Sequence, residues 1–140
     1  MTNQIFPCLW FDGQAKAAAE FYCSVFKNSK ILADSPMVVT FELNGSKFMG
    51  LNGGPQFKFD EAVSFVVNCD TQDEIDYYWN KLTEGGQESM CGWLKDKFGL
   101  SWQIVPAIIG ELMSEPARAE RVMKAVMKMK KLDLETLKNA

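Results

Sequence analysis

The stretch AVSFVVNCDTQDEIDYYWNKL, Ala62–Leu82, contains the change of pattern that decides the fold. Val63–Cys69 is a short, mainly apolar run rich in valine, which predicts a buried strand. The pair Asp70 and Thr71 then predicts a helix N-cap, because short oxygen-bearing side chains accept hydrogen bonds from the free amides of a first helical turn. Spacings of three and four predict one apolar helix face formed by Ile75, Tyr78, Trp79 and Leu82.

The same order of signals occurs earlier in the chain, in LWFDGQAKAAAEFY, Leu9–Tyr22. Ile5–Phe11 predicts a strand, and Asp12 predicts the N-cap of the helix after it. The helix is expected to end at Asn28 and Ser29, with an apolar face formed by Ala18, Phe21, Tyr22, Val25 and Phe26. The sequence therefore contains a repeat of roughly 55 residues.

Further strands are predicted after each helix. The Asn44-Gly45 pair is the strongest hairpin signal in the chain, and Lys97–Gly99 predicts a tight turn held by Asp96. The predicted strands lie at Lys30–Ala33, Met37–Leu43 and Ser46–Leu51 in the first half, and within Glu88–Asp96 and at Ser101–Val105 in the second.

These elements predict an α+β fold in a single domain, 1–140. Two βαβββ repeat units, at about 4–52 and 62–106, are expected to form a curled mixed sheet around a shared cleft where a ligand would sit. A helical extension, 107–140, follows. Its predicted caps are Ser114, with Pro116 in the first turn, and Asp133. Its apolar face, expected to be core or a dimer contact, comprises Ala119, Val122, Met123, Val126 and Met127.

Composition excludes several classes of function. The chain has 140 residues, 47% of them hydrophobic, which is enough for a core without disulfides. A net charge of −3 with mixed signs gives no electrostatic footprint for nucleic acid. No apolar run reaches the roughly 18 residues of a membrane span, and the N-terminal residues lack a secretory signal pattern. We therefore expect a cytoplasmic protein with reduced cysteines.

Five segments together resemble one family. They are LWFDGQAKAAAEFY (Leu9–Tyr22), FELNGSKFMGLNGGPQFKF (Phe41–Phe59), AVSFVVNCDTQDEIDYYWNKL (Ala62–Leu82), CGWLKDKFGLSWQIVP (Cys91–Pro106) and RVMKAVMKMKKLDLETL (Arg121–Leu137). The chain resembles PhnB-like proteins of the glyoxalase/bleomycin resistance/dioxygenase (vicinal oxygen chelate) superfamily, in the branch often labelled 3-demethylubiquinone-9 3-methyltransferase. The resemblance implies a glyoxalase-like fold with paired βαβββ units, and a homodimer.

The resemblance also implies four strand positions that hold Mn, Fe, Ni or Zn in enzymes of the superfamily. On the first strand this position falls at Pro7, and on the fourth near Leu51 or Asn52. On the fifth it falls near Ser64, and on the last at Gln103, in place of a glutamate. The chain has no histidine, and transition metals favour imidazole, thiolate or carboxylate ligands. We therefore expect no metal site and no other bound cofactor.

The sequence gives little support for a cysteine nucleophile or for a typical S-adenosylmethionine site. Cys91 has no histidine to activate it, so a structural thiol is favoured over a nucleophile. Gly53 and Gly54 are followed by Pro55 and a loop rather than by a helix. That order does not fit the strand, glycine-rich loop and helix of the usual S-adenosylmethionine fold. Whether the chain is an enzyme stays open at the level of sequence.

The interpretation ranked first is a homodimer that binds a small organic molecule in its cleft without a catalytic metal. The candidate ligand-binding residues are Pro7, Leu9, Asn52, Ser64, Cys91, Trp93 and Gln103. Strand aromatics would be core residues or would stack on a flat ligand. The alternatives are a methyltransferase acting on a quinone precursor and a divergent metal-dependent dioxygenase or lyase.

Overall fold

The computed structural model describes residues 3–140. They form two compact units, one ending at Phe59 and the other beginning at Asp60. Each unit has the predicted βαβββ order, which confirms the α+β fold class. Within residues 3–140, no helix is long and apolar enough to cross a membrane.

The first unit is a four-stranded mixed sheet in the order β1-β4-β3-β2. β1 runs parallel to β4, while β3 runs antiparallel to both of its neighbours. The Asn44-Gly45 hairpin is confirmed, and both residues have the positive φ, 49° and 84°, that a tight hairpin turn requires. The elements are β1 (Cys8–Phe11), α1 (Ala15–Val25), β2 (Lys30–Asp34), β3 (Val38–Leu43) and β4 (Ser46–Asn52).

Helix α1 covers one face of this sheet. Its alanines Ala15, Ala18 and Ala19 are fully buried, which lets the helix backbone approach the strands closely. The Tyr22 ring then stacks on Phe41 of β3, with 6.3 Å between ring centroids. Alternation along the strands determines which residues meet the helix.

The start of helix α1 differs from the prediction. Asp12 does not cap it: the N-cap is Gln14, whose side chain makes no capping hydrogen bond. The Asn52 Oδ1 accepts from the Ala15 amide instead, at 2.9 Å. A residue at the end of β4 thus satisfies one of the amides that a local cap was expected to satisfy.

The second unit repeats this topology, in the strand order β5-β8-β7-β6. β5 runs parallel to β8, and β7 runs antiparallel to β8 and β6. Thr71, rather than Asp70, is the N-cap of α2, and it forms a capping box with Glu74. The elements are β5 (Ser64–Cys69), α2 (Gln72–Thr83), β6 (Gln87–Glu88), β7 (Trp93–Lys95) and β8 (Ser101–Pro106).

Asp96 holds the turn between β7 and β8, as predicted. Its Oδ1 accepts from the amides of Phe98 and Leu100, at 2.8 and 3.1 Å. Its Oδ2 accepts from Trp102 Nε1 at 2.9 Å. Asp96 is only 2% exposed, and these three donors are what makes a buried carboxylate tolerable.

The extension forms α3 (Ile109–Leu112), α4 (Pro116–Val126) and α5 (Leu134–Lys138). Ser114 does not cap α4, whose N-cap Glu115 makes no side-chain cap. Asp133 caps α5 as predicted, accepting from the Thr136 amide. The helices close around buried Leu112, Val122, Val126, Leu132 and Leu137.

The predicted apolar face of α4 is only partly buried. Val122 and Val126 are buried, but Met123 and Met127 are 43% and 62% exposed in the single chain. The methionine face is therefore not part of this core.

Candidate functional site

The second sheet has one covered face and one open face. Leu94, Trp102 and Ile104 are buried under α2, whereas Val66 is 54% exposed. Side chains of directly paired residues share a face, so the registers of β5, β7 and β8 identify the open one. Its residues include Ser64, Val66, Trp93, Lys95, Ser101 and Gln103.

Three of the seven predicted site residues lie together on this open face. Gln103 pairs with Trp93 on one side, and its Nε2 donates to Ser64 Oγ at 3.0 Å. All three side chains are partly buried. The face therefore offers an amide, a hydroxyl and an indole ring, held by three adjacent strands.

Cys91 lies apart from them. It has a positive φ of 64°, and its amide donates to the Met129 carbonyl at 2.7 Å. The Gly92 amide donates to the Lys130 carbonyl in the same way, at 2.8 Å. Cys91 packs against the helical cluster of the extension, so the structure gives it a packing role.

Leu9 is also placed away from the open side of its own sheet. It is only 5% exposed and lies on the face of β1 that α1 covers, whereas Cys8 and Trp10 lie on the other face. Pro7 precedes β1 and takes part through its carbonyl, which accepts from the Met49 amide at 3.0 Å. Leu9 therefore does not face the open side of the first sheet, and ligand binding by Pro7 and Leu9 stays a prediction.

The Asn52 amide is already engaged in holding its own unit together. Its Oδ1 caps α1, as described above, and its Nδ2 donates to the Pro36 carbonyl at 2.9 Å. It pairs with Phe11, whose side chain is buried on the helix side. Asn52 is therefore a structural residue of the first unit.

Gly53 and Gly54 accommodate Trp10. A Cβ on Gly53 would lie 2.3 Å from the Trp10 ring, and Trp10 Nε1 donates to the Gly54 carbonyl at 2.9 Å. Phe57 also contacts the Trp10 ring in a T-shaped arrangement, with 5.0 Å between ring centroids. The glycine pair thus makes room for a tryptophan, and the next element along the chain is strand β5 rather than a helix.

The open-face donors do not fit the transition-metal ligands that the resemblance implies. Ser64 and Gln103 offer a neutral hydroxyl and a neutral amide. The open side of the first sheet carries the Cys8 thiol and the Glu42 carboxylate. Burial raises the pKa of that thiol, which opposes the thiolate that a metal needs. Among residues 3–140, no three His, Cys, Asp or Glu side chains cluster for a shared ion.

Polar residues that the sequence did not indicate also lie at the open face, among them Ser101, Lys95 and Glu61. Ser101 and Lys95 are paired across β8 and β7, and Lys95 Nζ lies 3.1 Å from Glu61 Oε2. Alternation could have identified Ser101, because it lies two residues before Gln103 on the same strand. Nothing local marks Glu61, which reaches Lys95 from the segment before β5.

Comparison with known proteins shows the family to which the chain is similar. A family model described as 3-demethylubiquinone-9 3-methyltransferase matches residues 3–105. The solved structure of a PhnB protein from Bacillus cereus is 34% identical, with a TM-score of 0.69, covering 75% of this chain and 100% of that one. No curated protein matches this chain.

More distant structures share the fold alone. A glyoxalase-related enzyme from Fulvimarina pelagi is 17% identical, with a TM-score of 0.54, over 74% of this chain and 88% of that one. A glyoxalase/bleomycin resistance protein from Albidiferax ferrireducens is 10% identical, also with a TM-score of 0.54, over 71% and 93%. These likenesses confirm the glyoxalase-like fold class.

Proposed function

This chain belongs to the family described as 3-demethylubiquinone-9 3-methyltransferase, and we propose that it binds a small organic molecule on the open face of its second sheet without a catalytic metal. The observation that carries the proposal is the group formed by Ser64, Trp93 and Gln103. A family label and a fold do not fix a chemistry, so the proposal depends on what this face can bind.

The three side chains suit a flat, polar ligand. The Trp93 ring supplies a surface for stacking. The Gln103 amide has an oxygen that accepts, and the Ser64 hydroxyl both donates and accepts. Gln103 and Ser64 are hydrogen-bonded to each other in the absence of a ligand. A ligand that breaks this hydrogen bond must therefore form hydrogen bonds of similar strength with both side chains.

The metal-free part of the proposal rests on donor chemistry. Neutral amide and hydroxyl oxygens bind divalent transition metals weakly compared with imidazole, thiolate or carboxylate. Elemental analysis of the purified protein tests this. We expect less than about 0.1 equivalent of any transition metal per chain, because these neutral oxygen ligands would hold such a metal too weakly to survive purification. One equivalent per chain would instead support the divergent dioxygenase or lyase.

A thermal-shift screen over metabolites tests the ligand part. Any compound that binds only the folded state raises its apparent stability, by about 2.7 kcal/mol at a hundred times its Kd. We expect hits among flat molecules with adjacent donors and acceptors. A screen whose hits all bind equally well to a Gln103→Met variant would contradict the proposed site.

Methyl transfer is the second candidate, and the description of the matching family model favours it. The Gly53-Gly54 pair argues against a typical cofactor loop, because it accommodates Trp10. Calorimetry with S-adenosylmethionine at high micromolar concentration separates the two candidates. Heat that saturates at one cofactor per chain would favour methyl transfer, and an absence of heat favours the binding protein.

The proposed assembly is a homodimer in the cytoplasm. Met123 on α4 and Met127 at its C-cap lie one turn apart with much of their surface exposed, and methionine-rich faces are common at protein contacts. The four free thiols, Cys8, Cys23, Cys69 and Cys91, suit a reducing compartment. Sedimentation equilibrium tests the dimer, and a monomer mass at working concentration would contradict it.

A further inference from the structure

Lys95 is a cation at a fixed position on the open face of the second sheet. It is paired with Gln87 on β6 and with Ser101 on β8, so strands on both sides hold its backbone. Its side chain is 34% exposed, and its Nζ lies 3.1 Å from Glu61 Oε2. The open face therefore carries a positive charge two residues along β7 from Trp93.

The Glu61 carboxylate is held less firmly than the lysine that it contacts. Glu61 lies in the turn before β5, outside any helix or strand, and its side chain is 63% exposed. Exposed ion pairs add little to stability, because water and salt screen the attraction and each charge gives up hydration to form the pair. Lys95 therefore stays in place on its strand, whereas the Glu61 carboxylate can return to water at little cost in free energy.

A small cavity lies at this contact, with a volume of about 110 Å³. Trp93 and Lys95 line it from β7, and Glu61 lines it from the turn before β5. A site that encloses a whole ligand usually has a volume of about 300 Å³ or more. The cavity therefore suits one substituent of a ligand whose other atoms lie on the open face.

Trp93 and Lys95 are spaced for one small aromatic ligand. They lie two residues apart on one strand, so their side chains share a face and their Cα atoms are about 6.6 Å apart. A ring that stacks on the Trp93 indole can therefore direct a substituent at the Lys95 ammonium group. A carboxylate substituent would form a charge-assisted hydrogen bond there, as the Glu61 carboxylate does without a ligand.

The other carboxylate at the cavity is engaged with helix α2. Glu88 also lines the cavity, but it pairs with Leu94, whose side chain is buried on the covered face. Glu88 Oε2 accepts from Trp79 Nε1 of α2 at 2.6 Å, which holds this carboxylate. The exchangeable anion at Lys95 is therefore Glu61, and a ligand carboxylate in its place leaves the charge around Lys95 unchanged.

We infer that Lys95 binds the carboxylate of a flat aromatic acid, and that Glu61 occupies this position when no ligand is bound. The aromatic ring of the ligand stacks on Trp93, next to Gln103 and Ser64. This inference rests on the proposed function and adds to it the charge of the ligand. A neutral or cationic ring of the same shape binds more weakly, because it gains nothing from Lys95.

NMR titration of the whole chain with sodium benzoate tests the inference, and benzamide is the neutral probe of the same shape. We expect benzoate to shift the Trp93 indole N–H and Lys95 amide signals with a millimolar Kd, as suits a fragment. Benzamide and protonated benzylamine should bind at least about threefold more weakly, a ratio that matches one partly exposed ion pair. Equal affinity for benzoate and benzamide, or tighter binding of benzylamine, would overturn the inference.

Three variants separate the roles of the two charges. Lys95→Met removes the cation, so benzoate should bind about threefold more weakly, no better than benzamide. Glu61→Gln removes the competing carboxylate, so benzoate should bind about twofold more tightly. Lys81→Met is the matched control, because Lys81 is an exposed residue of α2 on the covered side of the sheet, and the Kd of benzoate should not change.

Unchanged benzoate affinity in Lys95→Met or in Glu61→Gln would overturn the inference, and Glu61→Gln decides alone if Lys95→Met does not fold. The proposed function is judged separately, from benzamide. If Gln103→Met weakens benzamide binding while Lys95→Met has no effect on benzoate, the proposed function stands and this inference fails. If benzoate binding depends on Lys95 but not on Gln103, this inference stands and the site of the proposed function fails.

Discussion

Gln103 Nε2 donates to Ser64 Oγ at 3.0 Å, which joins β8 to β5 on the open face of the second sheet. The resemblance implies metal ligands at both of these positions. Here they form a neutral hydrogen-bonded pair beside Trp93, which pairs with Gln103 across β7. The two side chains are hydrogen-bonded to each other and need no ion between them. With the Trp93 ring beside them, they support a site for an organic ligand.

Replacing Gln103 with methionine should reduce ligand affinity without affecting folding. The side chain keeps its length and loses both hydrogen-bonding atoms. One neutral hydrogen bond contributes about 0.5–1.5 kcal/mol, so the Kd of a hit from the metabolite screen should rise between about twofold and tenfold. Calorimetry measures it. Gln14→Met makes the same change at an exposed residue of the first unit, whose side chain makes no capping hydrogen bond, and it serves as the control, for which we expect an unchanged Kd.

Thr71 and Asp12 should respond differently to alanine substitution. Thr71 caps α2 through the Glu74 amide, and loss of such a cap costs about 1 kcal/mol. Asp12 is exposed and does not cap α1, so Asp12→Ala should change the free energy of unfolding by less than about 0.5 kcal/mol. Urea unfolding measures both. Equal losses would mean that Asp12 caps α1 after all.

Asp96→Asn should be strongly destabilising although it is nearly isosteric. The asparagine side chain has an NH2 group in place of one carboxylate oxygen. In one orientation this NH2 group points at the Trp102 indole N–H, and in the other it points at the amides of Phe98 and Leu100, so two donors face each other in either case. A buried donor left without a partner costs about 1–3 kcal/mol. Urea unfolding again gives the value. Asp73→Asn on the exposed side of α2 is the matched control, and a similar loss in both variants would contradict the buried role of Asp96.

The Asp76–Lys131 pair should stabilise the second unit in a pH-dependent way. Lys131 Nζ lies 2.8 Å from Asp76 Oδ1, and this contact, with a hydrogen bond from Gln72, lowers the pKa of the Asp76 carboxyl. A lowered pKa in the folded state adds stability above the ordinary value of 3.8. That stability is lost as the pH falls through the lowered pKa.

Both side chains of this pair are more than a third exposed, so solvent screening keeps its contribution below about 1 kcal/mol. Asp76→Asn should therefore be slightly less stable than the wild type at pH 6 and equally stable near pH 2, two values on either side of the carboxyl titration range. Unfolding curves at both pH values test this, and a stability difference that persists at the lower pH would contradict it.

Sequence patterns predicted the elements of this fold well because each has a local cause. The Asn44-Gly45 turn, the Thr71 cap and the Asp96 turn all depend on residues within a few positions of one another. The start of α1 could not be predicted in this way, because its capping oxygen comes from Asn52 on another strand. The exposure of Met127 likewise depends on how α4 packs.

Strand alternation brings part of the candidate site together. Ser64, Gln103 and Trp93 lie on the same open face, and their part in binding a ligand stays a prediction. Leu9 lies on the covered face of β1, and no local pattern marks which face α1 packs against. The Cys91 amide donates to the Met129 carbonyl in the extension, a contact that no local pattern indicates. The shared cleft and the single-domain organisation stay predictions.

The most direct test is a thermal-shift titration of chelator-treated protein with hits from the metabolite screen, in the wild type and in Gln103→Met. Our account predicts that a hit raises the melting temperature of the wild type equally with and without EDTA, and raises that of Gln103→Met less at the same concentration. A hit that loses its effect in EDTA, or that stabilises both proteins equally, would contradict metal-free binding at this face.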